Sequence, residues 1–143
     1  MTALFPDLSE SHRSRIRITL TLLDEALVAF AEWSQGREAR AVLYAEDNDL
    51  SPRQQEAILS GVHGIRQIMQ EMRDNLTLEI NPRSVTKNIL ASCYILWVDV
   101  LEMTGKYLKG LGEPSQELVS YLDPKLQEIL QYLDQIKVSL SEP

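Results

Sequence analysis

A single cysteine, Cys93, in a chain of 143 residues leaves no partner for an intrachain disulfide. Histidine is nearly as scarce. His12 and His63 are the only two, and neither stands in a HExxH or ExxH pattern. Zinc and carboxylate-bridged metal sites in helical bundles draw on such ligands, so no metal is expected. Neither a GxxxxGK[ST] nor a GxGxxG loop is present, and no cofactor is expected. Long apolar runs are missing too. The richest, ILASCYILWV at 89–98, stops at Asp99 and falls well short of the ~20 residues of a membrane span. Pro6 and Asp7 interrupt the opening stretch MTALFPDLSESHRSR, so no signal peptide is read and a cytoplasmic setting without membrane contact is expected. Basic charge is in short supply: the net charge of -7 opposes the Lys- and Arg-driven contacts that hold nucleic acid.

What is present is helical periodicity along one domain, taken as 1–143. Ile16, Leu20, Leu23, Leu27 and Phe30 recur at spacings of four and three, which lays one apolar stripe along a first helix. Asp7 with Glu10 is read as its capping box, and Gly36 as its end. REARAVLYAEDND reads as a short extra helix, with Val42 and Leu43 covering the core, followed by an acidic loop. Ser51, Pro52 and Gln54 form the opening of a second long helix striped by Ile58, Val62, Ile65, Met69, Met72 and Leu76. Asn81 and Pro82 open a third, striped by Val85, Ile89, Cys93, Leu96, Val100, Met103 and Tyr107 and stopped by Gly110 and Gly112. Leu90, Trp97, Leu101 and Leu108 widen that stripe, so burial on more than one side is expected there. A last stretch runs from about Pro114 to Leu140, re-capped at Asp123 and Pro124, with Leu126, Ile129, Leu130, Leu133 and Ile136 inward. The expected fold is all-α: an antiparallel four-helix bundle with a short extra helix between the first and second long helices.

Few residues present themselves for chemistry. Cys93 lies on the apolar stripe and reads as a small core hydrophobe. Asp47, Asp49 and Ser51 begin like a calcium loop, but Pro52 stands where that turn needs glycine and Ile58 where it needs a bidentate Glu. An acidic surface loop is the better reading. Asp99 marks the solvent edge of the third helix, with Glu102 and Lys106 as an i,i+4 pair beside it. His12, Arg13, Arg15 and Arg17 place positive charge against a helix N-terminus, and pairing with segment 113–128 or loop 46–49 is expected to offset this.

The stretch SGVHGIR is the least ordinary. Each glycine inside a helix costs about 1 kcal/mol against alanine, so Gly61 and Gly64 need a reason. With Ala57 and Ser60 they make a strip of small residues that admits a neighbouring helix, in this chain or another. LSPRQQEAILSGVHG resembles the first helix of the LuxR-type helix-turn-helix, through Leu50, Ser51, Pro52, Arg53, Glu56, Ile58 and Gly64. Beyond Gly64, however, IRQIMQEMRDNL continues the same apolar stripe. The segment His63, Gly64, Ile65, Arg66 also resembles the His-x-x-Lys-Gly motif of histidine phosphotransfer domains, with Gln67 where that family carries glycine. That resemblance implies a phosphorelay role with His63 as acceptor and Arg66 steadying the phosphate. The favoured reading is a non-enzymatic interaction or scaffold module with a protein partner, as a homodimer.

Overall fold

The structure is a computed structural model and describes residues 5–141. It is all-α. Its elements are α1 (Glu10–Ser34), α2 (Pro52–Leu76), α3 (Val85–Leu101), α4 (Gly105–Leu108), a 3-10 turn (Lys109–Leu111) and α5 (Gln116–Ser141). The chain divides into two compact units, Met1–Ile80 and Asn81–Pro143.

In the first unit α1 packs on α2. The pair is antiparallel. Near the start of α1, Arg13 Nε donates to the Leu76 carbonyl at the end of α2, at 3.2 Å. Leu27 and Val62, both from the expected stripes, are the most deeply buried side chains. Ser51 caps α2 as expected: its Oγ accepts from the Gln54 N–H at 3.2 Å, and its own N–H donates to Gln54 Oε1 at 2.9 Å. Gly36 adopts φ +82 just after α1, the left-handed conformation that closes a helix at little cost to glycine. The N-terminal cap of α1 is Ser9, whose side chain accepts from the His12 N–H at 3.1 Å, and not Asp7 with Glu10. Glu10 pairs with Arg13 instead.

No helix forms between α1 and α2. Residues 37–49 make a loop closed by a bridge between Arg40 and Ala45. Val42 and Leu43, expected on the core, stand almost fully exposed. The reason lies in side chains that take over the backbone groups a helix would use. Asn48 Nδ2 donates to the Trp33 and Arg37 carbonyls, at 2.8 and 2.9 Å. Glu38 accepts from the Asn48 N–H at 2.8 Å, and Glu46 from the Ala39 N–H at 2.7 Å.

In the second unit α3 packs on α5. Cys93, Leu126 and Leu130 are its buried hydrophobic side chains among the described residues. The cap of α3 is Ser84, accepting from the Lys87 N–H at 3.2 Å, three residues beyond the expected Asn81. The expected run to Gly110 breaks after Leu101. Thr104 takes an extended conformation, and its hydroxyl donates to the Leu101 carbonyl at 2.8 Å. A new start, α4, follows, and the Gly105 N–H at its head donates to Asp123 Oδ1 at 3.0 Å. Asp123 therefore does not restart α5. That helix runs unbroken through Pro124, while the Asp123 carboxylate serves the neighbouring helix. Gly105 is required there: a Cβ would lie 2.8 Å from Val119 Cγ1. Ile129 and Ile136, expected inward, are exposed.

Candidate functional site

Three surface features and one hollow offer themselves. The small-residue strip on α2 is the first. Ala57, Ser60, Gly61 and Gly64 are all exposed, and a Cβ built on either glycine meets no heavy atom within 4 Å. The strip is open rather than packed under a helix of its own unit. His63 is exposed at mid-helix, and Arg66, one turn on, is half-buried. α2 is continuous through Gly64, so the turn that a helix-turn-helix needs there is not formed.

The basic group at the start of α1 is the second. Arg13 joins Glu10 and the Leu76 carbonyl, a contact that ties the open end of α1 to the last turn of α2. In the loop expected to neutralise the group, the Glu46 carboxylate is taken up by the Ala39 N–H and the Trp33 indole N–H. The positive guanidinium sits where α2 exposes unpaired carbonyls, so it complements the negative end of that helix dipole.

The third is the outer face of α3. Its core side meets α5 through Cys93, as expected of a small hydrophobe. Tyr94, Ile95 and Val98 point elsewhere and remain 63%, 65% and 48% exposed. At 100° per residue they share one face with Lys87, Ala91 and Glu102, all exposed. Lys137 of α5 stands over the Tyr94 ring at 4.8 Å, which fixes one edge of that face. Asp99 is exposed, as a solvent-edge residue should be. The Glu102–Lys106 pair does not form, because the helix breaks between them and Lys106 lies 5.7 Å from the Tyr107 ring centroid.

The hollow belongs to the first unit. It measures about 600 Å³ and is walled by Phe30 and Trp33 of α1, Leu50 and the loop carboxylates, and Ile58 of α2. The two rings lie 6.3 Å apart between centroids and 32° from parallel. The Trp33 indole N–H donates to Glu46 Oε2 at 3.1 Å, holding the ring against the loop. The sequence shows Asp47 and Asp49 as an acidic loop. It gives no sign that Phe30 and Trp33 line the same hollow, since Phe30 reads as the end of a core stripe and Trp33 falls off that stripe.

No known family, curated protein or solved structure matches this chain. Among the described residues no group of His, Cys, Asp and Glu is arranged to hold a metal ion. No described helix is long and apolar enough to cross a membrane.

Proposed function

We propose that the protein is a cytoplasmic association module that works as a homodimer through the outer face of α3. The observation that carries this is the order of residues on that face. Positions 87, 91, 94, 95, 98 and 102 are symmetric about the midpoint between Tyr94 and Ile95. A second copy laid antiparallel about a two-fold axis at that midpoint sets Tyr94 against Ile95 and Ala91 against Val98. It also sets Lys87 against Glu102 of the second copy, at both ends of the contact. An isologous interface requires this kind of self-complementarity. On either side of the central Tyr94–Ile95 step the positions follow at threes and fours, the rows that interlock between closely packed helices. Apolar residues on both sides of α3 also favour cover on both sides, since a helix apolar around most of its girth is a buried one.

Light scattering tests the reading. The wild-type chain is expected at twice its 16.3 kDa mass, and Ile95→Glu at the mass of one chain. Ile95 is 65% exposed, so the variant keeps its helices by circular dichroism. A wild-type monomer at high concentration, or a variant that still dimerises, contradicts the proposal.

The exposure of His63 favours a second reading, histidine phosphotransfer. A phospho-accepting imidazole must be reachable by another domain, and the glycines on either side leave room for one. Acid-labile phosphate after incubation with a phosphorylated receiver domain, lost in His63→Gln, supports it. No transfer to the wild type excludes it.

A further inference from the structure

We propose that the hollow between α1, the 35–51 loop and the start of α2 binds a small organic cation, an ammonium group carried on an apolar body. Its volume of about 600 Å³ is in the range of sites that enclose a small molecule. It also exceeds what one lysine side chain fills, so the ligand brings its own apolar bulk. Phe30, Trp33, Leu50 and Ile58 supply surface for that bulk, and the two aromatic faces attract a cation placed over them.

Charge fixes the sign of the ligand. Glu46, Asp47 and Asp49 line the hollow and no lysine or arginine does. Glu46 is committed to the Ala39 N–H and the Trp33 indole, so its role is to hold the wall. Asp47 and Asp49 make no side-chain hydrogen bond or ion pair with the described residues, and both are exposed at the rim. An anion is repelled there, and a cation gains an attraction to both carboxylates that a neutral apolar molecule does not. The site is formed in advance. The Asn48 bonds to the Trp33 and Arg37 carbonyls, and the Asn48 N–H bond to Glu38, hold the loop over the rings. Little ordering is left for a ligand to impose, which favours binding. The site lies wholly in the first unit and stands independently of association through α3.

Titration followed by the Trp33 indole N–H resonance tests this with three probes. Benzyltrimethylammonium is expected to give a saturating shift. Phenylacetate, of similar shape and opposite charge, and N-acetyl-lysine methylamide, a lysine side chain without further bulk, are expected to bind at least about tenfold more weakly. In the variant carrying Asp47→Asn and Asp49→Asn the cation binds about fivefold more weakly, with helix content unchanged by circular dichroism. Equal binding of phenylacetate, equal binding of the lysine probe, no saturation by the cation, or an unaffected double variant overturns the proposal. The probe comparison on the wild type decides the matter even if the double variant fails to fold.

Discussion

Gly64 and Gly105 both sit in helices, yet a methyl group meets opposite surroundings at the two. At Gly64 it enters open space. Gly64→Ala is therefore expected to raise stability by about 0.5–1 kcal/mol, from the lower backbone entropy of the unfolded chain. At Gly105 it would lie 2.8 and 3.0 Å from the two Val119 methyls. Gly105→Ala is expected to cost about 1–3 kcal/mol, as overpacking does. Urea denaturation of the two variants reads both signs, and equal effects would remove the distinction. Sequence alone marked the α2 glycines as exceptional and passed over Gly105, because a close approach depends on which helix lies opposite. Glu38 gives a pH prediction at the same scale. The Asn48 N–H and then the Arg40 guanidinium hold its carboxyl below the usual glutamate range. Its folded value is the depressed one, so its contribution is complete above the unfolded value and fades as pH falls through the folded value. The Asn48 amide resonance is expected to titrate with a midpoint below that of an ordinary glutamate. A midpoint at or above it contradicts the staple.

Helix ends show where local chemistry suffices and where it does not. The Ser51–Pro52–Gln54 opening is complete within four residues, and the structure keeps it. Ser9 and Ser84 displaced Asp7 and Asn81 because two short polar residues lay near each start and only one met the first free N–H groups. The break at Thr104 was hidden for a different reason. Its stabilising partner, Asp123, is 18 residues away, and a carboxylate read as capping its own helix caps another. Removing that carboxylate with Asp123→Ala is expected to cost about 1 kcal/mol and to loosen α4 selectively. Faster amide exchange at Gly105, with α3 protection unchanged, is the outcome to look for. No change at Gly105 would contradict the capping role of Asp123. The 37–49 segment failed as a helix on similar grounds, since Glu38, Glu46 and Asn48 bind backbone groups that a helix would need.

At the scale of the molecule, periodicity was enough to read an all-α chain with four long helices, and that reading holds. Cys93, Leu126, Leu130, Leu27 and Val62 are buried as their stripes require. The stripes were wider than what one partner helix covers, which is why Ile129, Ile136 and Leu96 remain exposed beside them. The α3 face was present in the sequence but went unread as a surface. Tyr94, Ile95 and Val98 fell within the apolar run 89–98 but on neither stripe, and Glu102 was read as half of a local ion pair, so the symmetry emerges only once buried Cys93 marks the core side of α3. The charges at its ends make the homodimer testable without disturbing the apolar centre. Lys87→Glu alone sets like charges together twice in each dimer, as does Glu102→Lys, whereas the doubly exchanged chain restores both pairs. Dissociation constants for these four chains, measured by light scattering over a concentration series, test the central claim most directly. Each single exchange is expected to weaken the dimer at least about tenfold, and the double exchange to recover the wild-type value. Singles that dimerise as tightly as the wild type, or a double exchange that recovers nothing, would contradict it.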